Sequence, residues 1–300
     1  MFAIINKKIF YILSIVLTII ALFSIFVFKL NPGIDFTGGS VLEVSFPEQK
    51  PTQEQIESSI KEFNGGNFLV RSAGENGYII KTSTIDDTTK KSIENAISQN
   101  GQIKFVEEKF ITVGPTLGEE LTSNALLAVL MIVIAITLYV AYVFRSVSKP
   151  VSSWKYGFAT IIALIHDVIL TIGFFAILGK FFGVEIDALF VTAILVVLGY
   201  SVNDSIVVLD RVREKLKNTK EELRQSQFTE LVGKSLVETV ARSLNTTITT
   251  LLSLVALYFF GGEATKNFAL ALIVGITAGA YSSIFVAPQL LVSFYEKGKK

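Results

Sequence analysis

Asp204 lies behind sixteen uncharged residues, Ala188 to Asn203, and ahead of the apolar stretch Ser205 to Leu209. At 1.5 Å per helical residue it is ~9 Å along the axis from Asp210, the next charge in the sequence. A carboxylate inside the apolar part of a membrane helix costs about 2.5–3.5 kcal/mol, so it must face other helices or a hydrated cavity, and it needs a partner. Arg242 is the candidate. Lys234, Glu238 and Arg242 recur every four residues and share one face of a helix leading into the next apolar run. An acid and an arginine that meet and part would bind and release one proton per cycle, with Asn203 beside the acid. A polar residue that packs helices and moves nothing is the other reading of Asp204. His166-Asp167 is a weaker pair, set in the middle of another apolar run. Histidine titrates near neutrality and a neighbouring acid can relay its proton, while a structural hydrogen bond is the alternative. Glu185 and Asp187 read as a cap at the end of a span.

The elements that must hold these residues follow from the hydropathy. The chain has 300 residues, 51% of them hydrophobic, and a mean hydropathy of +0.55, which suits a polytopic membrane protein with a modest soluble part. Six runs are long enough to cross a bilayer core, which takes about 20 residues: Ile9 to Phe28, then about 121–144, 156–179, 186–209, 243–262 and 267–295. The first is too long for the apolar region of a signal peptide and leads into Lys-Leu-Asn-Pro, so it reads as an uncleaved anchor. Lys7 and Lys8, then Arg145, Lys149 and Lys155, then six bases from Arg211 to Arg224, then Lys297, Lys299 and Lys300 all fall on one side of the membrane, while the opposite loops carry Lys180 and Lys266. The bias places both termini and the loops at 145–155 and 210–241 in the cytosol. Span 6 contains Gly275, Ala278, Gly279, Ala280, Ser282 and Ser283, which permit close helix packing, and Pro288, which can bend it.

Residues 30–120 then form an extracytoplasmic domain between an N-terminal segment with helix 1 (1–29) and helices 2–6 (121–300). Residues 31–121 hold 14 acids against 8 bases, a net charge of −6. Val41 to Phe46 alternates as a half-buried strand does, Thr52 and Gln55 have capping-box spacing, and Ile56, Ile60 and Phe63 recur at helical spacing. Asn67–Ser72 and Gly77–Thr82 flank a Gly74–Gly77 turn, followed by a helix at Asp87–Ser98 and a strand at Ile103–Phe110. The order βαββαβ is that of an α+β ferredoxin-like domain.

Several chemistries are excluded. There are no cysteines and one histidine, so thiolate sites and multi-histidine metal centres are ruled out and no metal is expected. Gly233-Lys234-Ser235 is no phosphate loop, because Phe228 occupies the position of its first glycine. The acidic domain lacks the clustered cations that nucleic acid needs. No cofactor, nucleotide or nucleic acid is expected, and no residue set is arranged for nucleophilic catalysis, so the chain does not read as an enzyme.

Gly33-Ile34-Asp35-Phe36-Thr37-Gly38-Gly39 after helix 1, Val113-Gly114-Pro115 before helix 2, His166-Asp167-Val168, Gly199-Tyr200-Ser201-Val202-Asn203-Asp204-Ser205-Ile206-Val207-Val208 with Asp210-Arg211, and Arg242-Ser243-Leu244-Asn245-Thr246-Thr247 together resemble the SecF family over essentially the whole chain. Gly33, Asp35, Phe36, Gly38 and Gly39 carry its signature. The resemblance implies one six-span half of the RND superfamily, in the prokaryotic cytoplasmic membrane. It implies pairing with SecD, work beside the SecYEG channel with YajC and YidC, and use of the proton-motive force to draw unfolded preproteins outward. Asp204 and Arg242 match the family positions implicated in proton movement, and an acid from SecD completes that site. The loop between them is a few residues longer than usual in the family. Half of a small-molecule RND exporter and a non-transporting membrane scaffold are the competing functions.

Overall fold

The computed structural model describes residues 7–63, 68–145, 151–217 and 223–297, and Asn67, Lys149, Lys299 and Lys300 lie outside them. The chain divides into two units, residues 32–126 and the combination of 1–31 with 127–300.

In the first unit, α2 (Ile34–Thr37) leads into β1 (Gly39–Ser45), α3 (Gln53–Ile60), β2 (Phe68–Ala73), β3 (Gly77–Thr82), α4 (Asp87–Ile97) and β4 (Val106–Val113). The strands form one antiparallel sheet in the order β2-β3-β1-β4, the arrangement expected of a ferredoxin-like βαββαβ chain. The two helices bring Ile56, Ile60, Ile93 and Ile97 onto Leu42, Val44, Val70 and Ile80. Thr52 caps α3 in a full capping box with Gln55, and Tyr78 fixes the same corner by donating to the Pro51 carbonyl at 2.7 Å. β4 begins three residues later than its pattern suggests. Ile103 and Phe105 pack on the core ahead of it, and a bulge between Glu43 and Val44 sets its pairing with β1.

The signature glycines have a local cause. Gly38 and Gly39 adopt φ of +72° and +133°, open to glycine and strained for other residues. A β-carbon on Gly39 would lie 2.7 Å from the Thr82 carbonyl oxygen, and one on Gly38 would lie 3.0 Å from Pro115 Cα. The chain therefore turns from α2 into β1 with backbone against backbone.

The second unit is helical. The membrane-length helices are α1 (Lys7–Phe28), α5 (Pro115–Val143), α6 (Ser153–Phe182), α7 (Ala188–Lys217), α8 (Gln225–Phe260) and α9 (Glu263–Phe285), which α10 (Ala287–Lys297) extends. Six spans are present, as the hydropathy implies. The cytosolic connection at 210–241 contains more helix than the face of Lys234, Glu238 and Arg242 implies: Val212 and Leu216 extend α7, and Phe228, Val232 and Leu236 belong to the first turns of α8, all of them buried at helical spacing. Span 6 is broken at Val286. Pro288, having no N–H, cannot continue the ladder there.

α9 packs against α6, α7 and α8 and lies at the centre of the unit. Small residues make that possible. A β-carbon on Gly275 would overlap Val197 Cγ2 and stand 3.1 Å from Thr171 Oγ1, and one on Gly279 would lie 3.2 Å from Ser201 Cβ. Gly173 brings α6 equally close to α1, where an added β-carbon would be 2.6 Å from Ala21 Cα.

Two predictions test this packing. Gly275→Ala should cost about 1–3 kcal/mol by overpacking, read as a lowered unfolding midpoint in detergent; an unchanged midpoint would contradict the close approach of α9 to α7. In the inserted domain, Asp86 caps α4 through Thr89 N and Thr88 Oγ1 at 2.9 and 2.6 Å, and these bonds hold its carboxyl down to about 2, from an ordinary 3.8. A depressed folded-state value stabilises the fold above 3.8 and ceases to do so as pH falls towards 2. Amide-exchange protection at the start of α4, taken relative to the intrinsic rate at each pH, should therefore fall across that interval, and Asp86→Asn, which keeps a capping oxygen, should remove this loss.

Candidate functional site

The buried acids of the spans, Asp167 and Asp204, form two adjacent clusters, each a carboxylate held by hydroxyls from other helices. Asp167 on α6 has a relative exposure of 0%. Its Oδ2 accepts from Ser201 Oγ on α7 and Ser282 Oγ on α9, both at 2.6 Å. Its Oδ1 lies 2.9 Å from His166 Nδ1. Three helices thus converge on one carboxyl. The His166 ring stacks on Tyr281 of α9 with centroids 6.1 Å apart, and the Tyr281 hydroxyl reaches Ser14 Oγ on α1 at 2.9 Å.

Asp204 is built the same way. It lies three residues beyond Ser201 on α7 and is 7% exposed. Ser243 Oγ on α8 donates to its Oδ1, and Ser283 Oγ on α9 donates to its Oδ2. The costly acid has a satisfied shell, and the shell is hydroxyl rather than cationic. Consecutive serines of α9 therefore serve different carboxylates.

Arg242 does not join this shell. Its side chain is exposed, and among the described residues no ion pair reaches it. The buried face of α8 carries Phe228, Val232, Ser235, Leu236, Thr239, Ser243 and Thr247, so the face bearing Lys234, Glu238 and Arg242 points the other way. Lys234 pairs with Glu230 at 2.8 Å, and Glu238 takes Arg211 and Lys215 of α7 at 2.7 and 2.5 Å. Arg242 and Ser243 are neighbours on the helix, one outward and one inward, and Asn203 stands to Asp204 in the same relation, exposed beside a buried acid.

The remaining expectations divide. His166 and Asp167 meet directly despite being adjacent on one helix. Asp187 caps α7, its Oδ1 accepting from Phe190 N at 2.8 Å. Gly33, Asp35, Phe36, Gly38 and Gly39 lie in the other unit, around α2, where Phe36 N bonds the Gly33 carbonyl at 3.1 Å. In the sequence Ser282 and Ser283 stand among small packing residues, and nothing there singles out Ser201 and Ser243. A shared depth of hydroxyls and acids in four spans was the available signal.

Among the described residues no group of three or more His, Cys, Asp or Glu side chains is placed to hold a metal ion. What the centre offers is two carboxyls, one imidazole and four hydroxyls, a set able to hold and pass protons.

Comparison with known proteins agrees with this architecture. Residues 92–297 match the family described as "Protein export membrane protein SecD/SecF, C-terminal", and residues 23–46 match the "SecD/SecF GG Motif". The chain is 40% identical to a protein named "Protein translocase subunit SecF" from Thermobaculum terrenum, over 96% of this chain and 92% of the relative. The crystal structure of SecDF, described as a translocon-associated membrane protein, from Thermus thermophilus matches with a TM-score of 0.83 at 32% identity. The match covers 98% of this chain but 38% of that much longer one. A second SecDF structure, in a "Super-membrane-facing form", matches at the same identity and coverage with a TM-score of 0.64. The profile over most of the chain and the near full-length relative agree, and the chain belongs to the SecF family of protein translocase subunits.

Proposed function

We propose that this chain pairs with a SecD subunit in a prokaryotic cytoplasmic membrane and uses the proton-motive force to draw unfolded preproteins outward through the Sec channel. In this reading both termini are cytosolic, residues 30–120 are extracytoplasmic, and Asp204 and Arg242 belong to the proton path. SecYEG, YajC and YidC are the expected neighbours. The observation that carries the reading is the outward face of α8. Arg242, Asn245, Thr246 and Thr249 are exposed on a helix long and apolar enough to span a bilayer, and the exposed Asn203 lies beside Asp204 on α7.

An arginine within a membrane helix normally faces a bundle interior or a watery cavity. Arg242 stands 18 residues before Phe260, ~27 Å along the helix, close to the basic edge of the apolar core. This chain supplies no acid for it among the described residues. A second membrane subunit laid over α7 and α8 would cover that face and bring one, and the SecDF chain, of which this fold matches 38%, has the length to hold such a half. Arg242 would then lie between the partner's acid and the Asp204 centre. The two SecDF forms differ in their match by shape, since identity and coverage are equal, as a fold with more than one conformation would. A membrane potential supplies about 2.3 kcal/mol per charge per 100 mV, enough to bias such a motion on every turnover.

The test is proton flux and preprotein translocation in vesicles containing the chain with SecD. Asp204→Asn and Arg242→Lys should each reduce both by about 100-fold or more, while the complex still assembles. Loss of translocation with undiminished flux would sink the proton role and favour a scaffold, and SecD absent from complexes purified from native membranes would sink the pairing.

A further inference from the structure

Asp167 is held more completely than helix packing requires, and its surroundings repeat those of Asp204. Each carboxyl accepts one hydroxyl from α9, from Ser282 or Ser283, and a second from another helix, Ser201 of α7 or Ser243 of α8. Each α9 serine also has a second acceptor. Ser282 Oγ lies 3.2 Å from the Gly279 carbonyl oxygen, and Ser283 Oγ lies 3.1 Å from that of Ala280.

We propose that Asp167 is a second proton-binding station, a twin of Asp204, and that Ser282 and Ser283 are hydroxyl rotors letting each carboxyl be charged or neutral without moving a helix. This rests on the proton coupling proposed above and extends it to α6. A serine hydroxyl carries one hydrogen and can also accept. When Asp167 is charged, the Ser282 hydrogen points at Oδ2. When a proton arrives on Oδ2, the new O–H donates to Ser282 Oγ, and the serine hydrogen turns to the Gly279 carbonyl. Every donor keeps an acceptor in both states, so neither strands a buried hydrogen, a penalty of about 1–3 kcal/mol.

His166 decides which oxygen receives the proton. Its Nε2 is buried without a hydrogen-bond partner among the described residues, so a hydrogen there would be stranded. The imidazole therefore keeps its hydrogen on Nδ1, donating to Oδ1, and the arriving proton belongs on Oδ2 between Ser201 and Ser282. Gly279 lets Ser201 approach: a β-carbon on it would stand 3.2 Å from Ser201 Cβ and in ordinary contact, 3.7 Å, with Oδ2.

The groups facing Asp167 from each packed element are few. They are His166 on α6 itself; Ser201 on α7, with Asp204 one turn on; Ser282 on α9, with Tyr281 behind the imidazole; and, past Tyr281, Ser14 on α1. α10 meets α6 at Lys155, whose Nζ donates to the Phe294 carbonyl at 2.7 Å. Among the described residues, no Lys or Arg pairs with Asp167.

Infrared difference spectra of the full chain with its SecD partner, recorded over a pH series, read the carboxylic-acid carbonyl directly. Two buried carboxyls should titrate, with Asp167→Asn removing one band and Asp204→Asn the other. Ser282→Ala keeps the acid and the glycine contact, so it remains informative where Asp167→Asn fails to fold. It should displace the Asp167 midpoint and leave that of Asp204, with Ser283→Ala doing the reverse. An unchanged spectrum in folded Asp167→Asn, or an unmoved midpoint in Ser282→Ala, overturns the twin. If the Asp204 band is still lost in Asp204→Asn, the proton-coupling reading survives; if neither band exists, both readings fall.

Discussion

Inside an apolar helix bundle a carboxylate can bond only to what neighbouring helices bring it. A serine hydroxyl is short, so its helix must come close. That requirement explains why the middle of α9 is made of small residues. Gly275 and Gly279 admit Val197 and Ser201 of α7, and the approach carries Ser282 and Ser283 to two acids. The polar bonds and the tight packing are one solution. Remove a glycine and the hydroxyls no longer reach; remove the acids and the close approach has no polar purpose.

The inserted domain obeys a different constraint, the pairing of an antiparallel sheet with two helices on one face. Its link to the first span is where backbone conformation limits the sequence most tightly. Two glycines with positive φ turn the chain from α2 into β1 at a point where a β-carbon would strike the Thr82 carbonyl or the Pro115 backbone. Any side chain at these positions would have to displace backbone rather than another side chain.

Much of this was legible because periodicity reports on burial. The six spans follow from the length of their apolar runs, the helix over Ile56 and Ile60 from its 3.6-residue spacing, and the strand at Gly77–Thr82 from the turn it flanks. The basic extension of α7 and the first turns of α8 were not, because charged residues on their outer faces mask the buried Val212, Leu216, Phe228 and Val232. The site was half legible. Depth in an apolar run marks Asp204 and Asp167 as expensive and therefore as placed with a purpose. Spacing then gives a face of α8 without saying which way it points, so Arg242 could be assigned a helix face but not a partner. Ser282 and Ser283 are harder still, since adjacent hydroxyls look alike in sequence and differ here in which neighbouring helix each one meets.

The break at Val286 gives the last span a mechanical character. A continuous rod of this length would resist bending everywhere and transmit any tilt along its whole length. Interrupted once, it behaves as two stiff segments with compliance gathered at one joint, and Ser282 and Ser283 sit within four residues of that joint. The two acids are thus gripped close to the pivot, where an angular change of either segment displaces the gripping hydroxyls least.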